Sequence, residues 1–337
     1  MKFEDITVII PMYNCEATIE DAVKSIISQN ADCNIILVND GSTDNTLDVA
    51  LNIIEKNKSD KIKLYTQDNR GPSAARNKGI EKCITEYICF LDADDKQMKE
   101  TLEMYVLNQR KKNTDCVIGR IYYSHKAPLE LNNEVIYIEN STSVKQIVPN
   151  LIKENMFNSM VNKLYKTEII KNNGIRFNES INIGEDFDFN LQYINFCSSL
   201  SIMNSYIYEY KTENSQLTKK IRKNDFYNRI HNIDKLKTFY EKNGINSNLD
   251  FQYVKIFYSD LYNEITDKQN KQYIKNRIAV LLKNENLRKL ELKQRSIIEY
   301  LLMKPIAIGN IDIIYMTLRI TYFFKNVEFM KKNQISI

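Results

Sequence analysis

Five short apolar runs of strand length, the first four each followed by a polar turn, divide the first 121 residues of this 337-residue chain. They are Ile6–Ile10, Asn34–Val38, Ile62–Tyr65, Tyr87–Leu91 and Cys116–Ile121. Between them the spacing becomes helical. Glu16–Ser28 carries its apolar residues at positions 19, 22, 23, 26 and 27. A second helix is expected from a cap at Ser42 or Thr43 to about Lys56, with Asp44 in its first turn. A third is expected over Pro72–Cys83, opened by its proline, and a fourth over Lys96–Lys112. Strands apolar on both faces, alternating with helices, predict an α/β fold whose mostly parallel sheet is covered on both sides. Such sheets bind ligands beyond the carboxyl ends of their strands, so the polar turns there are where chemistry is expected.

Those turns read Pro11-Met12-Tyr13-Asn14, Asn39-Asp40-Gly41-Ser42-Thr43-Asp44, Gln67 through Asn77, and Asp92-Ala93-Asp94-Asp95. The last places three carboxylates in four residues. Their mutual repulsion needs an answering cation or hydrogen-bond donors, and an all-oxygen set suits Mg²⁺ or Mn²⁺; a solvated acidic turn capping the next helix is the other reading. Asp40 is able to accept a hydrogen bond from the imide of a pyrimidine, and Tyr13 to stack on such a base, although a tyrosine there also fits a core. Gly71 to Arg76 joins small residues, an arginine and a helix start, a combination that attracts phosphate; an ordinary turn with a surface arginine is the alternative. Further along, Asp186 in Gly184-Glu185-Asp186-Phe187-Asp188-Phe189 is either a general base or a helix cap. Absent motifs matter too. No GxGxxG follows the first strand, and GxxxxGK[ST] is missing altogether, which excludes a P-loop.

Composition narrows the field. Hydrophobic residues at 43% and charged residues at 27% provide for a full core and exclude wholesale disorder. The 2 histidines exclude a three-histidine metal site. The 6 cysteines form no CxxC, and Cys89 and Cys116 lie inside apolar runs, as reduced core residues of a cytosolic protein would. No signal peptide is expected, because Lys2-Phe3-Glu4-Asp5 precedes the first run and no small-residue cleavage site follows.

Taken in order, Val8-Ile9-Ile10-Pro11-Met12-Tyr13-Asn14, Val38 through Asp44, Asn69 through Gly79, Phe90 through Asp95 and Gly184-Glu185-Asp186 resemble the family 2 glycosyltransferases of the GT-A fold. Asn162-Lys163-Leu164-Tyr165 also resembles the strand such enzymes place before their acidic pair. The resemblance covers about residues 4–218. It implies a GT-A-type nucleotide-sugar-binding domain, and inverting transfer of a sugar from a nucleotide donor, usually a UDP-sugar, to a hydroxyl of a surface glycan or lipid-linked acceptor. Pro11, Tyr13, Asn14, Asp40, Gly71, Arg76, Asp92, Ala93 and Asp94 then belong to the donor site. Within that set Tyr13 and Asp40 meet the base, Arg76 lies beside the nucleotide, Asp92 meets the ribose and Asp94 holds Mn²⁺ or Mg²⁺. Asp186 becomes the catalytic base, with Glu185 beside it on the acceptor side. Many relatives carry a further histidine ligand, but Tyr208 through Ser215 contains none; Glu213 or water in its place, or weaker metal binding, is expected. A nucleotidyltransferase-like enzyme is the alternative within transferases, and a non-catalytic nucleotide-sugar or glycan binding module the alternative outside them.

The expected domains are residues 1–218, divided at 121 into nucleotide-binding and acceptor-binding halves, and residues 219–337. Charge separates them. Residues 1–218 hold 24 Lys and Arg against 31 Asp and Glu, a net −7; residues 219–337 hold 23 against 12, a net +11. The basic part reads as mainly helical. Ile297–Phe324 is apolar but broken by Lys304, Pro305, Asp312 and Arg319, so no membrane-spanning helix is expected. Packing as a helical bundle is the first reading and peripheral contact with an anionic membrane the second, with a subunit interface also open. Nucleic acid is not an expected partner, since no RNA-binding or zinc pattern accompanies the charge. The expected location is the cytoplasm, including the inner face of the cell membrane.

Overall fold

The computed structural model describes residues 2–29, 31–125, 127–128, 130–181, 183–211, 225–266, 268–292 and 296–326. The chain divides into two compact units, Met1–Lys220 and Ile221–Ile337. In chain order the first contains β1 (Ile6–Met12), α1 (Ile19–Ile27), β2 (Asn34–Asp40), α2 (Thr46–Asn57), β3 (Ile62–Gln67), α3 (Pro72–Lys82), β4 (Tyr87–Phe90), β5 (Lys96–Gln97) and α4 (Thr101–Lys112). It continues with β6 (Cys116–Tyr123), β7 (Val135–Glu139), α5 (Ser141–Gln146), α6 (Val148–Lys153), β8 (Lys163–Lys166), α7 (Thr167–Asn172), α8 (Glu185–Ile194) and β9 (Ser199–Tyr210). One mixed sheet runs β3-β2-β1-β4-β8-β6-β9-β5, with β7 on β9. The strands β1 to β4 are parallel, β8 is antiparallel to its neighbours β4 and β6, and β9 is parallel to β6. Most paired residues therefore lie in parallel ladders, and the carboxyl ends of β1–β4, β6 and β9 share one edge.

The middle of the sheet is dry. Ile6, Val8, Ile9, Ile10, Leu37, Val38, Ile88, Cys89 and Phe90 are fully or almost fully buried, each aliphatic or aromatic side chain contributing roughly 1.5–3 kcal/mol by leaving water. Cys116 joins them, and all the cysteines are free. The helix α3 lies unusually close to β1. A Cβ on Gly79 would stand 2.3 Å from Ile9 Cγ2, so only glycine lets this helix bring Arg76 down onto the sheet.

Local propensity was overridden at three places. The strand β1 runs through Pro11, which a central strand ordinarily refuses; it is accommodated because the last β1–β4 pair is Ile9 with Phe90, so no ladder partner loses a donor. Residues 96–100 are not helical: Lys96 and Gln97 pair with Glu209 and Tyr208 of β9, and the helix starts at Thr101. The helix α2 starts at Thr46, whose N–H donates to Asp44 Oδ1 at 3.0 Å, and is not capped by Ser42 or Thr43. Those two are drawn away to the turn after β1, as described below.

The second unit, described by itself, is helical: α9 (Asp225–Lys242), α10 (Asp250–Thr266), α11 (Lys271–Leu281), α12 (Glu285–Arg288), α13 (Ile297–Ile308) and α14 (Ile311–Asn326). The helix α10 is its centre, burying Tyr253, Val254, Ile256, Phe257 and Leu261. Arg277 grips Asp260 through Nε and Nη2, each at 3.0 Å, and Lys275 pairs with Asp312. Ser296 and Glu299 form a capping box that starts α13, and the helix continues through Lys304 and Pro305. Among the described residues, no helix is long and apolar enough to cross a membrane.

Candidate active site

The turns after β1, β2 and β3 are laced together. Asn14 takes a left-handed backbone, φ 47°, which turns the chain back beside β2. Its N–H donates to Ser42 Oγ at 3.1 Å, and its Oδ1 accepts from Thr43 N at 2.8 Å. Tyr13 is left 49% exposed beside this knot, while Pro11 is half-buried in the strand. Asp40, only 2% exposed, ends β2. Its Oδ1 accepts from Gln67 Nε2 at 2.8 Å and Arg70 N at 2.9 Å, and its Oδ2 accepts from Gly71 N at 2.7 Å. Gly71 stands at φ 89°, a conformation that side chains resist, and caps α3. Asp40 thus folds the turn that launches α3. With about four acceptor positions on a carboxylate, little of it is left for a base.

The helix α3 delivers Arg76 to the centre of the site. The residue is 6% exposed, and its guanidinium carbon lies 5.4 Å from the Phe177 ring centre. Nη2 donates to Asp92 Oδ1 at 2.9 Å, and Nη1 stands 3.6 Å from both Glu185 Oε1 and Asp186 Oδ1. Burial works against the arginine's charge, but Asp92, Asp186 and Glu185 outweigh it and hold Arg76 firmly protonated. Arg76 Nε and Nη1 and Asp186 Oδ1 are buried without a hydrogen bond. The alternative of a surface arginine does not fit this burial: the arginine faces three carboxylates.

Asp186 is the second residue of α8, whose cap is Gly184. The helix-cap reading of Asp186 is therefore set aside. The side chain is 25% exposed, and its pKa is pushed up to about 7, mainly by burial, with Arg76 opposing and Glu185 and Asp92 adding. A carboxylate poised near neutrality is suited to taking a proton.

The three carboxylates after β4 have distinct surroundings. Asp92 is answered by Arg76. Asp95, 2% exposed, accepts from Tyr208 Oη at 2.7 Å and Lys211 N at 2.8 Å; burial, then Asp92, pushes it up to about 7. Asp94, beside the buried Ala93, has no side-chain hydrogen bond or ion pair among the described residues, and burial followed by Asp92 raises it to about 6. A partly buried, unanswered carboxylate fits a hard cation that draws its other ligands from phosphate and water. No group of three or more His, Cys, Asp or Glu that could hold a metal occurs among the described residues, and Glu213 lies outside them.

Lys163, Phe177, Asn190 and Tyr208 were not given roles from sequence, yet Tyr208 bonds Asp95, Phe177 lies against Arg76, and Lys163 and Asn190 bond the same backbone carbonyls at residues 157 and 159. A lysine inside an otherwise apolar strand, Lys163-Leu164-Tyr165, was the one available signal.

Residues 7–174 match the family model described as glycosyl transferase family 2. The teichoic acid poly(glycerol phosphate) polymerase of Staphylococcus epidermidis is 32% identical over 197 residues, 57% of this chain and 26% of that protein. The poly(ribitol-phosphate) beta-N-acetylglucosaminyltransferase TarP of Staphylococcus aureus is 25% identical over 239 residues, 68% of this chain and 71% of that protein. The crystal structure of S. aureus TarS 1–349 in complex with UDP-GlcNAc shares the fold, with a TM-score of 0.65 at 19% identity over 96% of this chain and 92% of that one. The chain spans 26%, 41% and 62% of the lengths of three curated relatives it matches.

Proposed function

The chain belongs to glycosyl transferase family 2 through residues 7–174, and from that premise we propose that it moves a sugar from a nucleotide donor, a UDP-sugar, to a hydroxyl of a surface glycan or lipid-linked acceptor, inverting the anomeric centre. The observation that carries this reading is the buried Arg76 facing Asp92, Glu185 and Asp186, with Asp186 raised toward neutrality. The donor class is supported by the UDP-GlcNAc complex of TarS, and the acceptor class by relatives named for poly(glycerol phosphate) and poly(ribitol-phosphate).

In this reading Tyr13 stacks on the base, and the Asn14–Ser42 and Asp40–Gly71 bonds fix the cradle around it. Asp186 takes the proton of the acceptor hydroxyl as that oxygen attacks the anomeric carbon. Arg76 holds Asp92 and Asp186 apart and in place while one of them changes charge. Glu185 lines the acceptor side. Asp94 would hold Mn²⁺ or Mg²⁺, which when bound offsets charge on the leaving diphosphate. Nothing in this scheme needs a covalent intermediate, since one displacement inverts the centre.

Asp186→Asn tests it. The variant is expected to lose about 10³-fold or more in transfer while binding UDP with unchanged affinity; transfer at the parental rate removes Asp186 from its role. For the second unit we propose a peripheral contact with an anionic membrane face. Ile297, Ile298 and Leu301 of α13 and Met316 and Ile320 of α14 are between 54% and 80% exposed, in a part of the chain with net charge +11. Co-sedimentation with phosphatidylglycerol vesicles at low salt is expected, and its absence refutes that contact.

A further inference from the structure

Lys163 opens β8 and is 2% exposed, a place an ammonium occupies only if its charge is answered. Four oxygens answer it. Nζ donates to Met156 O at 2.9 Å, Asn162 Oδ1 at 2.8 Å, Phe157 O at 3.3 Å and Ser159 O. Burial pulls the lysine down to about 7, but a neutral amine would turn a lone pair toward those oxygens, so the cage selects the charged form. The same stretch is clasped from a second side. Asn190 Nδ2, on α8, donates to Phe157 O at 2.7 Å and Ser159 O at 3.0 Å, and its Oδ1 accepts from Tyr165 Oη at 2.6 Å. Asn162 Nδ2 adds bonds to Met156 O at 3.1 Å and Gly119 O at 2.8 Å.

This clasped stretch ends at Met160, whose backbone N–H is near enough to Asp186 to favour its charged form. Asp186 and Asn190 are four residues apart on α8, one turn of a single face. The cage and the carboxylate are thus parts of one construction, and the buried cation attracts Asp186 through a low-dielectric interior. The groups that face Asp186 are Arg76 from α3, Glu185 from α8, Asp92 from the turn after β4, the Met160 N–H, and Lys163 and Tyr165 from β8.

We propose that Lys163 is a positioning residue for transfer: its buried ammonium holds residues 156–160, and with them Asn190 one turn from Asp186 on α8, so that the carboxylate is held in place beside a buried cation. The proposal rests on the general-base reading of Asp186. Replacing Lys163 by Gln retains an amide able to donate to the carbonyl oxygens and removes the charge; Lys163→Met removes both.

UDP release from UDP-GlcNAc with water as acceptor supplies kcat, KM and their pH profiles, and calorimetry with UDP supplies binding. Both variants are expected to lose about 10–100-fold in kcat, the range typical when a supporting partner of a site residue is removed. KM and UDP affinity should stay within about twofold, because the donor cradle is untouched. Without the cation Asp186 binds its proton more tightly, so the rising acid limb of kcat moves to higher pH, by about half a unit or more. Restoring the cation with Lys163→Arg should move the limb back. A purely structural lysine would lower Tm and leave the limb where it was, and that result in the folded Gln variant overturns the proposal. If neither variant folds, Asn190→Ser decides: the cage loosens with its charge intact, so kcat should fall with KM unchanged, and a parental kcat overturns the proposal. Asp186→Asn, run alongside, separates the two ideas. If it keeps transfer, the base reading has failed. If it loses transfer while the lysine variants keep their acid limb, only the role of Lys163 has.

Discussion

The two ends of the site treat buried carboxylates in opposite ways. At the donor-cradle end Asp40 is buried and hydrogen-bonded to Gln67, Arg70 and Gly71. At the transfer end Asp94 finds no side-chain partner among the described residues, and Asp186 keeps an unbonded buried oxygen. Desolvating a carboxylate is costly unless donors or cations replace water. The first end is therefore finished in the free protein, a rigid cradle whose polar groups answer one another. The second is left incomplete, and burial raises Asp94 and Asp186 toward neutrality. On the proposed function, the difference teaches that the chain stabilises its binding geometry internally and leaves to its ligands the charges that would take part in chemistry.

Asp94 offers the sharpest way to break that contrast. If it is the cation's carboxylate, Asp94→Asn should lower Mn²⁺-dependent transfer by about 100-fold, the scale of removing a key electrostatic contact, and EDTA should do the same to the parent. A pH test follows from its raised pKa. Without a cation the folded protein holds the Asp94 proton up to about 6, so stability from this group is present at pH 4 and lost as pH rises through about 6. A cation relieves that loss only where Asp94 is ionised. The Tm gain from Mn²⁺ plus UDP should therefore be full at pH 7.5 and shrink as pH falls through about 6. Asp95, raised for the same reason but bonded to Tyr208 and Lys211, contributes with and without metal and cancels from the difference. A Tm gain that ignores pH, or survives Asp94→Asn, makes Asp94 another internally answered carboxylate.

Asp40 sharpens the contrast from the other side. Asp40→Ala leaves Gln67 Nε2 and the Arg70 and Gly71 N–H groups without their acceptor, at about 1–3 kcal/mol for each donor that water does not reach. Thermal unfolding should register a loss of about 2–4 kcal/mol, together with weaker UDP binding as the turn before α3 relaxes. Weaker UDP binding with unchanged Tm would mean that Asp40 serves the base directly and that the cradle does not depend on it.

The contrast also explains what could be read from the sequence. The polar strand ends were legible because chemistry repeats there in a local pattern: Asp92-Ala93-Asp94-Asp95 after β4, Asn39 through Asp44 at the end of β2, and Gly184-Glu185-Asp186 before α8. What each carboxylate bonds to was not, because the partners are distant in sequence: Asp40 with Gly71, Arg76 with Asp186, Asp95 with Tyr208. A surface arginine remained an alternative for Arg76 because nothing local reveals that Gly79 lets α3 settle onto Ile9. The start of α4 failed for the same reason, since the pairing of Lys96 and Gln97 with β9 outweighs a helical stretch of sequence. Lys163 is legible as part of a strand motif, but the carbonyl cage that gives it meaning is tertiary.

Tyr13 gives the smallest and most selective effect. It is half exposed, and the knot between Asn14, Ser42 and Thr43 holds the chain around it without using its ring. Removing the ring should therefore leave Tm unmoved, unlike Asp40→Ala. A base–aromatic stack is worth about 1–3 kcal/mol, roughly five- to a hundredfold in affinity, and the exposure of this ring argues for the lower part of that range. Tyr13→Ala is then expected to raise KM for a UDP-sugar by about tenfold with kcat unchanged, whereas Tyr13→Phe, which keeps a stacking face, should behave as the parent. An equal loss in both variants would assign the effect to the hydroxyl and take the base out of contact with this ring; loss in neither would move the base to another wall of the cradle. Only the first pattern, ring-dependent and confined to KM, agrees with a donor end that is complete before the donor arrives.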